Sequence, residues 1–139
     1  VYRWITEDKS LETVTNELRA FIREGRVAEY RQLKQRQLPF VTPHGVFSRR
    51  KSEALISASG LVVVDIDHLA YLGTRLAFVS PGGLGVKLFI PGDETVRWAM
   101  SYIQLLYADT FKGEVDTCGK DIARCCFLSH DSNAKIFIP

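Results

Sequence analysis

The sequence predicts an α+β domain: leading helices, then a mostly antiparallel sheet with one helix laid against it. Three observations carry this. Behind Ser10, the residues Leu11, Val14, Leu18 and Phe21-Ile22 recur at helical spacing. Leu61 to Ile66 is a short apolar run rich in valine, bounded by Ser59-Gly60, and β-branched residues pack well on a pleated surface. The later apolar runs, Leu76 to Val79, Val86 to Ile90, Cys125 to Leu128 and Ile136 to Ile138, are equally short and separated by turn residues.

The first helix starts with Ser10 as N-cap and stops near Glu24-Gly25, where glycine supplies a left-handed cap. A second helix runs from about Val27 to Gln37, turns Tyr30 and Leu33 inward, and ends before Leu38-Pro39, because the residue before proline avoids the α region. Thr42-Pro43-His44-Gly45 reads as a turn between the extended pieces Phe40-Val41 and Val46-Phe47. Leu61 to Ile66 is the expected central strand. A short turn or helix near Leu69 to Leu72 leads to the strand Leu76 to Val79. The Gly-rich loop Ser80-Pro81-Gly82-Gly83-Leu84-Gly85 then leads to the strand Val86 to Ile90. Pro91-Gly92-Asp93 turns into a helix from Glu94 to about Ala108, and a polar connection spans Lys112 to Lys120. A turn at His130 to Asn133 separates the last two strands.

The 139 residues make one domain, 1–139, with an ordinary 46% hydrophobic and 24% charged content. No apolar run approaches the roughly 20 residues of a membrane span. Without a signal-peptide pattern, and with three cysteines that frame no disulfide pattern, a reduced cytoplasmic protein is expected. The absent initiator Met suggests an excised segment or a trimmed chain. A zinc site from Cys118, Cys125 and Cys126 lacks paired spacing and a fourth ligand. A net charge of +2 does not argue for nucleic acid. The helical cations, Arg19 among them, read as solvated faces interleaved with Glu12, Glu17, Glu24 and Glu29. The cluster Arg49-Arg50-Lys51, free of acid until Glu53, is an equally good candidate for phosphate contact.

Chemistry concentrates in three strand-end segments. Asp65 and Asp67 alternate onto one face of their strand, and their mutual repulsion invites a hard cation, Mg²⁺ or Mn²⁺. Taken alone, Asp-x-Asp is as readily a strand-end cap and a solvated turn. In the second segment, Ser80, Gly83, Gly85 and Lys87 offer close backbone approach, an anion nest and a point charge, although Gly-rich hairpin loops are common. In the third, Arg124 to Asp131, Asp131 follows the strand and supplies a third carboxylate. His130 reads as a surface or capping residue, and Asp116 or Asp121 as a loop carboxylate able to orient Arg124. Two acids, an anion cradle with lysine, and a third acid near Ser129 and Arg124 suit metal-dependent chemistry on a nucleoside triphosphate.

The order of these motifs resembles the archaeo-eukaryotic primase (primase–polymerase) superfamily. Its first motif, an apolar strand ending in Asp-x-Asp, is matched by Val62 to Asp67; its second is similar to Ser80 to Lys87; its third is matched by Phe127 to Asp131. More closely, the chain resembles the N-terminal domain found ahead of virulence-associated E-like helicase regions in mobile-element and phage-type proteins. Leu33-Lys34, Leu38-Pro39-Phe40, Gly45, Phe47 and Arg50 match one block of that domain, and Asp121, Arg124, Phe127, Ser129 and Asp131 its ending. The resemblance implies an RRM-like catalytic core, and a nucleotidyltransferase with Asp65, Asp67 and Asp131 as Mg²⁺ or Mn²⁺ ligands. It implies Ser80, Gly83, Gly85 and Lys87 at the triphosphate, with Arg124 and Ser129 supporting the nucleotide or the third acid. Nucleoside triphosphates, single-stranded or primer-template DNA, and a helicase/ATPase domain in the same protein are the implied partners. The second motif usually ends in His, where this chain has Lys87. Two other readings stay open: a catalytically degenerate primase-like module that binds nucleic acid, and a haloacid-dehalogenase-type phosphohydrolase with Asp65 as nucleophile and Asp67 as acid.

Overall fold

The computed structural model describes residues 1–66, 76–91 and 122–136. The chain opens with α1 (Tyr2–Glu7) and α2 (Lys9–Arg23). Asp8, not Ser10, caps α2: its carboxylate accepts the Leu11 N–H at 2.7 Å, so the helix begins one residue before Ser10. Either residue type makes a good cap, and α1 ending at Glu7 leaves Asp8 in the extended conformation that a cap needs. Gly25, at φ 72°, ends the helix where expected, and α3 covers Val27–Gln37. Leu11, Leu18 and Leu38 are buried together between these helices, with Val14, Tyr30 and Leu33 packed on them.

The strands form three small antiparallel sheets among the described residues. The pieces β1 (Phe40–Val41) and β2 (Gly45–Phe47) do not pair with each other. β2 instead pairs with β3 (Leu55–Ala58), with a bulge at Ile56, so that Arg49-Arg50-Lys51 lies in the connection between them. β4 (Leu61–Ile66), β5 (Leu76–Val79), β6 (Val86–Pro91) and β8 (Lys135–Ile136) build a sheet in the order β4-β6-β5-β8. The expected central strand β4 is therefore an edge among the described strands, because β6 turns back between β4 and β5. β7 (Cys126–Phe127) leaves that sheet and pairs with β1, Phe40 opposite Phe127 and Val41 opposite Cys126. The expected helix over Glu94 to Ala108, the turn near Leu69 to Leu72 and the connection Lys112 to Lys120 lie outside the described residues.

One face of the large sheet carries Val63, Leu76, Phe78 and Phe89, which join Ile5, Cys126, Leu128 and Ala134 in a single buried cluster. Alternation puts Val62, Ala77, Val86 and Leu88 on the other face, and all four are buried too. Burial on both faces explains why these strands read as continuous apolar runs rather than alternating ones. Leu18→Ala should cost about 2–5 kcal/mol of stability, as for other fully buried leucines. Ile56→Ser, at an exposed bulge, should change it by under about 0.5 kcal/mol. Urea melts of both variants check this contrast.

Candidate functional site

Lys87 stands on β6 with Asp65 in register on one side and Phe78 on the other. Residues opposite each other across an antiparallel pair have neighbouring Cβ atoms, about 4.5–5.5 Å apart. The local sequence brings this about simply: the Ser80–Gly85 loop reverses the chain, so the first residues of β6 return beside the last residues of both β5 and β4. Asp67 and the Asp65 side chain lie outside the described residues, as do Asp116, Asp121 and Cys118.

The loop closes on itself. The Ser80 N–H donates to the Gly85 carbonyl at 2.8 Å, the Gly85 N–H donates to Ser80 Oγ at 3.2 Å, and the Gly83 N–H donates to the Ser80 carbonyl at 2.9 Å. The Gly83 and Gly85 amides are thus spent inside the loop rather than offered as an anion nest. Gly83, at φ 79°, faces the Arg19 side chain, which a Cβ would meet at 3.2 Å, and a Cβ on Gly82 would meet the Tyr30 hydroxyl at 3.3 Å. Gly83 suits the left-handed backbone, and both glycines leave room for the close-lying side chains of α2 and α3.

Arg19 is not a solvated helix residue. It lies four residues after the buried Thr15 and directly after Leu18, at the margin of the apolar stripe of α2. Its Nη2 donates to the Ser80 carbonyl at 3.3 Å and to the His130 carbonyl at 3.4 Å, tying the Gly-rich loop to the segment after β7. Nε is buried without a hydrogen-bond partner. Burial lowers the pKa of this guanidinium, and the nearby Asp131 carboxylate opposes the shift. The sequence held one signal for this role, the position of Arg19 one step from Leu18, but charge alone masked it.

The third segment is strapped on all sides. The Leu128 N–H donates to the Pro39 carbonyl at 2.9 Å, the His130 N–H to Thr15 Oγ1 at 2.9 Å, and the Asp131 N–H to the Ile5 carbonyl at 3.0 Å. His130 is 13% exposed, with Nε2 4.0 Å from Glu12 Oε1, so it packs against α2 rather than at the surface. Ser129, fully buried, donates from Oγ to the Val79 carbonyl at 2.6 Å, and Asp131 Oδ2 accepts the Val79 N–H at 2.9 Å. Asp131 Oδ1 accepts the Asn133 N–H at 2.9 Å. These bonds lie along the β8 edge of β5, whereas Asp65 is on β4, beyond β6. Two strand spacings put the β4 and β5 backbones about 10 Å apart. Asp131 therefore acts on the strand that leads into the loop.

Carboxylates are hard oxygen donors suited to Mg²⁺ or Mn²⁺, and each Asp131 oxygen keeps a lone pair beyond its amide bond. Among the described residues, however, no three His, Cys, Asp or Glu side chains gather as a metal group. Arg124 is exposed, and its neighbour Cys125 accepts at the sulfur from Arg50 Nη1 at 3.7 Å. Within the Arg49-Arg50-Lys51 cluster, Arg49 pairs with Glu53 at 3.7 Å, and all three cations are exposed. Among the described residues no helix is long and apolar enough to cross a membrane.

Asp131→Ala should destabilise the domain by about 2–4 kcal/mol, because two amides lose a charged acceptor. Gly83→Ala should also destabilise it, by about 1–2 kcal/mol from the left-handed backbone alone. Equilibrium unfolding of the two variants measures both.

The family model described as BT4734-like, N-terminal domain, matches residues 33–74 and 70–135. The matched span thus takes in the last residues of α3 from Leu33, the strands β1 to β7, the first residue of β8 and all three candidate segments, but not α1 and α2. No curated protein and no solved structure matches the chain.

Proposed function

The chain belongs to the BT4734-like N-terminal domain family, and we propose that it is a primase–polymerase-like nucleotidyltransferase domain of a mobile-element or phage-type replication protein. The observation that carries this reading is the register of Asp65 opposite Lys87, on the strand that leaves the Ser80–Gly85 loop. A carboxylate and an ammonium side by side at a strand end also occur as a plain cross-strand ion pair. What favours chemistry is the second carboxylate, Asp67, two residues on, which one lysine does not neutralise.

Asp65 and Asp67 would hold Mg²⁺ or Mn²⁺, which when bound supplies charge neutralisation on a triphosphate. Lys87 would add a second positive charge toward the phosphates, as a flexible point charge rather than a bidentate clamp. Ser80, Gly83 and Gly85 shape the rim of that site through their closed loop. Asp131, in this proposal the third acid, and Ser129 would support that site from a distance, by holding the β5 edge. Deoxy- or ribonucleoside triphosphates, primer-template DNA and a helicase/ATPase region in the same protein are the partners of such an activity.

The degenerate nucleic-acid-binding module is the second reading, and a specific observation favours it: both oxygens of Asp131 are engaged by backbone amides. The phosphohydrolase reading draws no support from β4, which pairs antiparallel with β6, whereas that chemistry rides on parallel, doubly wound sheets.

The deciding experiment is Mn²⁺-dependent binding of a labelled nucleoside triphosphate to the wild type, Asp65→Ala and Asp67→Ala. A catalytic site should lose at least about tenfold in affinity, about 1.4 kcal/mol, in either variant or in chelator. Binding indifferent to both metal and carboxylates would sink the nucleotidyltransferase reading.

A further inference from the structure

We propose that the β1–β7 ribbon and the cations around it form a platform for single-stranded nucleic acid, with Phe40 as the stacking residue. The proposal rests on the nucleic-acid-dependent function above and names the surface that would hold the strand.

From Tyr30 through Ser52 the chain carries Arg31, Lys34, Arg36, Arg49, Arg50 and Lys51, six of its 18 Lys and Arg residues, and no acid. The fold brings two of them, Lys34 and Arg50, to one aromatic ribbon. Phe40 and Phe127 stand in register, their rings edge to face with centroids 6.0 Å apart. Cys126 turns into the core, so Cys125 and Phe127 alternate onto the opposite side. On that side Lys34 Nζ lies 5.1 Å from the Phe127 ring centroid, and Arg50 reaches the Cys125 sulfur at 3.7 Å. Arg124, next in sequence to Cys125, is exposed. The ribbon thus has cations beside it from α3 and from the β2–β3 connection.

Phe40 is 50% exposed, although a phenylalanine on a paired strand normally buries its ring. An exposed ring paired with one that Lys34 covers, in a stretch rich in cations and without acid, matches the chemistry of a single strand: phosphates meet the charges and an unstacked base meets the ring. A duplex offers phosphates but no free base face. An anionic lipid or acidic peptide would use the charges and leave the ring without a base to stack on. Glu53 offsets only Arg49, at the far end of the cluster.

The test is fluorescence anisotropy of a labelled oligothymidine of about 20 nucleotides, in chelator, with the full chain and its variants. Phe40→Ala should weaken binding about tenfold, and Phe40→Trp, which keeps a stacking face, should stay within about twofold. The double variant Arg50→Ala/Lys51→Ala should bind more weakly and with a flatter salt dependence, since fewer counterions are released. Asp65→Ala should bind as the wild type does, so loss of nucleotide binding and loss of this surface are read separately. Wild-type affinity in Phe40→Ala, equal competition by duplex DNA, dependence on Asp65, or no binding by the wild type would each overturn the proposal. Thermal melts confirm that the variants are folded. Where Phe40→Ala unfolds, Phe40→Trp decides: affinity kept within about twofold supports the stacking contact, and a loss of about tenfold overturns it.

Discussion

The backbone of Val79 is the point on which the arrangement turns. Its N–H and its carbonyl are both taken by side chains, Asp131 and Ser129, where a strand would normally supply a ladder partner. A buried peptide left unpaired would cost about 1–3 kcal/mol per group, so the segment after β7 must sit where it does. That same segment gives its own amides to Ile5, Thr15 and Pro39, which fastens the N-terminal helices to the sheet. Val79 is also the last residue of β5, so the bonds that hold it decide where the Ser80–Gly85 loop begins.

Arg19 completes this join from the other side. One guanidinium nitrogen serves two carbonyls, on Ser80 and on His130, and so holds two distant chain segments at a fixed separation. Asp131 lies close enough to favour its charge, which compensates part of the desolvation of a half-buried arginine. The glycines at 82 and 83 belong to the same packing, since a Cβ at either would crowd the Tyr30 or Arg19 side chain. A loop built this way presents a rigid rim, and the strand leaving it carries Lys87 to a defined place opposite Asp65. Rigid support of this kind is what a binding site needs, whichever of the two proposed activities it serves.

The candidate residues therefore separate into groups that the linear order of motifs does not show. Asp65 and Lys87 meet across one ladder. Ser80, Gly83, Gly85, Ser129 and Asp131 form a hydrogen-bonded frame around the end of β5. Arg50 reaches Cys125 beside the aromatic ribbon, whose Phe127 also packs on the Leu11, Leu18 and Leu38 cluster. A strand bound at the ribbon and a nucleotide bound near Lys87 would be held by different elements of the same small domain. In the proposed reading, charge and stacking would belong to one surface and carboxylate chemistry to another.

Much of the local structure was legible from residues alone. Gly25 ended α2, Pro39 ended α3, and Leu76 to Val79 was a strand with both its ends in place. These depend on short-range physics: the left-handed freedom of glycine, the steric demand of proline, and the preference of branched residues for a pleated surface. The sequence also marked Asp65, Ser80, Lys87 and Asp131 as polar residues placed at strand ends. It did not reveal which strands pair. Phe40-Val41 finds β7, some 85 residues away, rather than the extended piece beside it, and β6 inserts between β4 and β5. Nor did it show that Arg19 is drawn inward, or that Asp131 spends both oxygens on backbone amides. Partner choice and burial of charge are settled by contacts between segments far apart in the chain, and no local pattern encodes the identity of the distant partner. The residue types determined what chemistry was available; only the tertiary register decided which of those residues stand side by side.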